Sequence, residues 1–251
     1  MIGLLEIERY CDQQLELSQF DDYCPNGLQV EAGAEVQRLM VGVTACQALI
    51  DKAVAWEADL LLVHHGYFWK GEAAPIRGLK GRRIASLLRN GISLLAYHLP
   101  LDAHPEWGNN RQLADRLGFP APEPTPAGRG LVWRSDLMQA MTGTELYARL
   151  SQTMGREPLH IAPPEKVEIR RVGWCTGSAQ GFIEEAAGLG LNAYVSGEIS
   201  EATVHIAREL GIHYFAAGHH ATERYGVQAL GTHLAEKFAL EYRFVDIENP
   251  V

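Results

Sequence analysis

The stretch VQRLMVGVTACQALIDKAVAWEADLLLVHHG (36–66) decides how this chain is read. Its flanks, VQRLMVGV (36–43) and DLLLV (59–63), are short apolar runs of the kind that form buried strands. Between them, ACQALIDKAVAWEA (45–58) spaces Leu49, Ile50, Ala53 and Val54 as one apolar stripe of a helix. Thr44 with Gln47 three residues on has capping-box spacing and predicts the helix start. Strand, helix, strand is the building unit of a parallel sheet, with a right-handed crossover burying one face.

The unit recurs. Residues 167–195 read as strand VEIRRVGW, a helix beginning near Gln180, and strand NAYV. At an offset of 133, Leu49, Ile50, Ala53 and Val54 fall on Phe182, Ile183, Ala186 and Ala187. Each copy continues with another helix and strand: Arg83–Asn90 before ISLLAY, and Glu201–Leu210 before HYFAAG. The first copy carries a longer loop, 66–82. GFPAPEPTPAGRG (118–130), with prolines at alternate positions, reads as an extended linker. The expectation is an α/β protein of two similar, interlinked halves, 1–117 and 131–251, joined by 118–130. The last part of the second half is expected to interlink with the first.

Three strand-like runs end in histidine: ADLLLVHHG (58–66), ISLLAYHLPLD (92–102) and HYFAAGHHATE (213–223). Two continue to a carboxylate four residues later, His98 to Asp102 and His219 to Glu223, and an offset of 121 superposes them. α/β sheets bind ligands beyond the carboxyl ends of their strands, where these residues fall. Imidazoles and carboxylates converging there are the donors of a divalent metal site, expected at strand ends between the halves. His64, His65, Asp102, His219 and Glu223 are the foremost candidates. A catalytic zinc takes about three protein ligands, so five candidates favour two metals sharing a bridging carboxylate and water. Mixed imidazole and carboxylate ligation suits zinc, iron, manganese, cobalt or nickel.

Where the first copy has His64-His65, the second has Gly197-Glu198. That asymmetry favours one shared site over two equivalent ones, with Glu198 a candidate general base or a group orienting a ligand, and an exposed structural glutamate the equal alternative. His98 and His220 are further candidates, for orienting a ligand or binding substrate; on spacing, either His219 or His220 could ligate. His104, His160, His205, His213 and His233 are read as ordinary turn or core residues.

The balance of 22 Lys+Arg against 31 Asp+Glu, net −9, disfavours a nucleic-acid partner. Basic spots at Lys80–Arg83 and Lys166–Arg171 read as solvated faces, with service to an anionic substrate the alternative. The acidic N-terminal stretch lacks a signal-peptide pattern, no run is long enough for a membrane span, and four scattered cysteines suit a reducing compartment. A cytoplasmic location is expected.

DYCPNGLQV (22–30), GVTA (42–45), VHHG (63–66), HLPLD (98–102) and GHHATE (218–223) together resemble the GTP cyclohydrolase I type 2 family. The family is also called the Nif-three-like dinuclear metal-centre proteins, and the likeness is to its compact bacterial, YbgI-like branch. The resemblance spans nearly the whole chain. It implies two metals held by His64, His65, Asp102, His219 and Glu223, which singles out His219 over His220. It implies a ring-shaped homohexamer, a trimer of dimers, with the metals facing its internal cavity. It further implies a metal-dependent hydrolase acting on GTP or a related nucleotide through a metal-activated water. The alternative is a non-enzymatic role in metal storage or delivery, or as a ring-shaped adaptor, for example in a stress response.

Overall fold

A computed structural model describes residues 1–251 and divides them into two compact units. The first comprises Met1–Trp107 and Gly226–Glu248, the second Gly108–Tyr225 and Asn249–Val251. Both are α/β.

The first unit is built on a five-stranded sheet in the order Glu241–Phe244, Arg38–Thr44, Leu60–His65, Ser93–Ala96, Gly27–Val30. Neighbours are parallel except for the antiparallel edge strand Gly27–Val30. Helices Gln47–Ala55 and Gly78–Arg89 make the crossovers. Leu60, Leu61, Leu62 and Val63 are all fully buried, and their alternation explains how. Leu60 and Leu62 join one apolar cluster with Leu39, Val41 and Leu95, while Leu61 and Val63 join another with Met40, Leu94 and Ala96. A continuous apolar run is what a strand covered on both faces requires, each such side chain contributing about 1.5–3 kcal/mol on burial.

The second unit carries a six-stranded sheet in the order Glu123–Pro124, Trp133–Met141, Ile169–Cys175, Ala193–Ser196, His213–Ala216, Leu159–Ile161. Its three central parallel strands, with helices Ile183–Gly188 and Glu201–Glu209 between them, follow the order of 38–44, 60–65 and 93–96 in the first sheet. The strand–helix repeat read from the sequence is therefore a repeat of structure.

Three expectations need correction. The helix after Thr44 is not capped by it: Cys46 occupies the N-cap with no side-chain bond, and the Thr44 hydroxyl lies 3.2 Å from His65 Nδ1 instead. The proline-rich stretch 118–130 is not a linker but part of the second unit, whose boundary lies at Trp107–Gly108. Glu123–Pro124 pairs with Trp133–Arg134 as an edge strand, where a proline costs no ladder bond, and the Thr125 hydroxyl donates to the Val132 carbonyl. The helix expected at Arg83 begins at Gly78, inside the presumed loop. No helix is long and apolar enough to cross a membrane.

Candidate metal centre

In the first unit, parallel pairing sets Thr44 beside His65 and Val63 beside Ala96, so the strand ends Thr44, His64-His65 and Tyr97-His98 lie in one row. The donor atoms of His64, His65 and His98 all fall within 4.8 Å of one another. Their ring centroids are 4.6 Å apart for His64–His65, 5.0 Å for His64–His98 and 5.7 Å for His65–His98. Asp102 is brought in by the short helix Leu99–Ala103, whose first turn returns the Asp102 N–H to the His98 carbonyl.

The orientation of His64 is fixed. Its Nδ1 lies 2.8 Å from the Tyr97 carbonyl, which can only accept, so Nδ1 carries a proton. Nε2 is then turned toward Asp102 Oδ1 at 3.4 Å, with His64 fully buried and Asp102 6% exposed. An imidazole lone pair and a carboxylate facing each other out of water call for positive charge between them. Two ligands of one ion, each at about 2.0–2.1 Å, stand roughly 3.0–3.4 Å apart, so this pair fits a shared cation.

His98 is held from behind. Its Nδ1 lies 2.9 Å from Asp22 Oδ1, and its backbone N–H donates to Asn26 Oδ1 at 2.7 Å. Burial opposes ionisation of Asp22, but bonds from His98, Asn26 and the Leu99 N–H outweigh it and hold the carboxyl at about 2. Asp22 is thus an anion that keeps the Nδ1 proton of His98 on its own side. Cys24 lies in the same group of donors, and burial, then the Asp22 charge, pushes its thiol up to about 12, which keeps it protonated.

In the second unit, His219 opens the short helix that follows strand His213–Ala216, and Glu223 caps it. His219 Nε2 is 3.1 Å from Glu223 Oε2, and its Nδ1 is 2.6 Å from Glu198 Oε1. Burial would lower the imidazole pKa, but Glu223 and then Glu198 overcome it and raise it to about 9. An imidazole with a carboxylate at each nitrogen fits a cation at one of them. A carboxylate accepting the other N–H is the usual support of a metal-ligating histidine. Glu198, for which the sequence leaves a general base, a ligand-orienting group and a structural residue open, occupies that supporting position. His220 is buried, and its backbone N–H donates to the Val251 carbonyl.

Two glycines make room for this constellation, and neither was singled out as a site residue. Gly177 has φ +68°, and a Cβ there would stand 2.1 Å from Glu223 Oε1 and 3.3 Å from His219 Nε2. A Cβ on Gly197 would stand 2.7 Å from His219 Cα and 2.6 Å from the Gly177 carbonyl. The Thr222 hydroxyl accepts from the Gly177 N–H and donates to the His219 carbonyl, tying the two loops together. The only sequence trace is small residues just past the strand ends, in CTGS (175–178) and VSGE (195–198). Asp22 and Asn26, four residues apart in DYCPNGLQV, follow no strand-end histidine and carry no ligand spacing in the sequence.

Of the histidines read as ordinary, His104, His160, His213 and His233 have structural partners, His233 stacking on Trp107. His213 Nε2 donates to the Val167 carbonyl and its Nδ1 faces His160, while His104 stacks on Trp107.

Comparison with known proteins places this geometry. The model of the Duf34/NIF3 (NGG1p interacting factor 3) family matches residues 3–250. A protein of Allochromatium vinosum named "GTP cyclohydrolase 1 type 2 homolog" is 55% identical over 250 residues, covering 100% of this chain and 98% of that protein. A solved structure described as protein ybgI, of unknown function, superposes with a TM-score of 0.94 at 47% identity, covering 100% of each chain. TTHA1606 from Thermus thermophilus superposes at 0.90 with 34% identity, again over 100% of both. A match over nearly the full length, with relatives well above 30% identity, leads to one conclusion: the chain belongs to the Duf34/NIF3 family.

Proposed function

We propose that this protein is a metal-dependent hydrolase acting on GTP or a related nucleotide, with two divalent ions held by His64, His65, Asp102, His219 and Glu223. The observation that carries the reading is the state of the two histidine–carboxylate pairs. In each, one ring nitrogen is committed to an acceptor and the other meets a buried carboxylate at ligand-to-ligand spacing. The name borne by the relatives, "GTP cyclohydrolase 1 type 2 homolog", supports the substrate class. Zinc, iron, manganese, cobalt and nickel all suit the donor set. Bound metal would supply Lewis acidity and an activated water.

The chain's own residues do the rest. Asp102 and Glu223 bring buried negative charge to offset the ions. The Tyr97 carbonyl and Glu198 hold the Nδ1 protons of His64 and His219, leaving each Nε2 to ligate. Asp22 does the same for His98, whose ring is thereby positioned to ligate, or to bind substrate beside His64 and His65. A homohexameric ring, a trimer of dimers in the cytoplasm, is part of the same proposal.

The test is turnover of GTP and a panel of nucleotides by metal-reconstituted protein. Hydrolysis that is lost with chelator and regained with metal is expected. Stoichiometric metal without turnover of any nucleotide would overturn the enzymatic reading in favour of metal storage or delivery. Glu198→Gln tests the supporting role: an acceptor remains for Nδ1–H, but the charge is gone. Metal affinity should fall about 10–100-fold, measured by competition with a chromogenic chelator, while the melting temperature of metal-free protein changes little.

A further inference from the structure

The helix Gly78–Arg89 bears a feature that the metal site does not use. Beside it lies a groove of about 730 Å³ whose walls include Arg77, Arg82 and Arg89, with Gln47, Ser86 and Asn90, and no carboxylate. On a chain with net charge −9, such a wall is not what the composition would place there by default. All three arginines are exposed, and none engages an acid, whereas neighbouring Lys80 pairs with Glu72 at 3.3 Å.

The local electrostatics are adverse without a ligand. The helix has no acidic residue in its first turn and no side-chain cap, and Arg77 stands at its N-cap. A cation at that end opposes the helix dipole, which favours anions there. Arg82 and Arg89 are seven residues apart, two turns along one face, so they recur about 10 Å apart along the axis. One phosphate can satisfy one or two guanidiniums bidentately. Three guanidiniums lining one groove call for several linked phosphates. Ile76, beside Arg77, is 58% exposed and lines the same groove as Gln47, whose NH2 donates to Asp51 at 2.8 Å while its Oε1 can accept, giving an apolar surface and an acceptor near the arginines. That combination suits a base and sugar attached to the phosphates.

We infer that the groove formed by Arg77, Arg82 and Arg89 binds the polyphosphate of a nucleoside triphosphate, Ile76 and Gln47 taking the nucleoside. No residue of the groove belongs to the proposed metal-ligand set, so this binding is separable from metal-dependent turnover.

The experiment is calorimetric titration of the metal-loaded protein with ATP, GTP, inorganic tripolyphosphate and a single-stranded oligonucleotide, at low and moderate salt. Wild type should bind the nucleoside triphosphates, more weakly as salt rises. Arg82→Glu/Arg89→Glu should weaken this at least tenfold, and the same charge reversal at the other exposed basic spot, Lys166→Glu/Arg170→Glu, should leave it within about twofold. Arg77→Gln/Arg82→Gln/Arg89→Gln, which keeps side-chain length and adds no acid, should show the same loss if the charge reversal impairs folding. Tripolyphosphate binding as tightly as the nucleotides would remove the nucleoside part of the inference. Three results would overturn the whole: no binding by wild type, loss in Lys166→Glu/Arg170→Glu with retention in the groove-arginine variants, or arginine-dependent binding of the oligonucleotide alone.

Discussion

Glu223→Ala is expected to cost the protein bound metal and to cut nucleotide turnover by roughly 10³-fold, the several kcal/mol that metal stabilisation of a developing charge supplies. Glu223 is 2% exposed, so its carboxylate has exchanged water for specific partners, and His219 Nε2 at 3.1 Å is one of them. Alanine removes an anionic donor from His219 Nε2 and leaves the Glu198 carboxylate on its Nδ1. Metal analysis and turnover should fall together. Loss of turnover with full metal content would show that Glu223 acts in the chemistry rather than in binding the ions.

Gly177→Ala should do comparable damage without removing any donor. At φ +68° a Cβ is strained by about 1–3 kcal/mol wherever it points. Here it also points at Glu223 Oε1, 2.1 Å away, so the carboxylate must move. In a chain of this size, each kcal/mol lowers the melting temperature by about 2–4 °C. The melting temperature should therefore drop by several degrees, and metal affinity by about 10–100-fold, as for other disturbances of ligand support. Gly188→Ala is the control: its Cβ would meet nothing within 4 Å and its helical position carries no positive φ, so stability should hold or rise slightly. Equal effects of the two substitutions would contradict the packing role given to Gly177.

Much of this was legible in the sequence because it is local. Leu60–Val63 announces a strand buried on both faces, and Leu49, Ile50 and Ala53 announce the helix that covers it; all seven are fully buried. Their recurrence at Ile183 and Ala186 made the second sheet readable from the first. Histidines at strand ends followed directly. What escaped was non-local or too small to leave a pattern. Asp22 supports His98 from 76 residues away, and the Tyr97 carbonyl that fixes His64 is a backbone group any residue could supply. Gly177 matters for a side chain it lacks. The alternating prolines of 118–130 misled because proline marks both linkers and edge strands, and only the pairing of Glu123–Pro124 with Trp133–Arg134 separates the two. Thr44 misled similarly: its hydroxyl is spent on His65, not on the helix that follows.

The central claim is that His64, His65, Asp102, His219 and Glu223 hold two ions. Elemental analysis of purified, metal-reconstituted protein, run beside His64→Ala and Glu223→Ala, tests it most directly. Two divalent ions per wild-type chain are expected, falling to one or none in each variant. One ion or none in the wild type, or two retained in both variants, would contradict it.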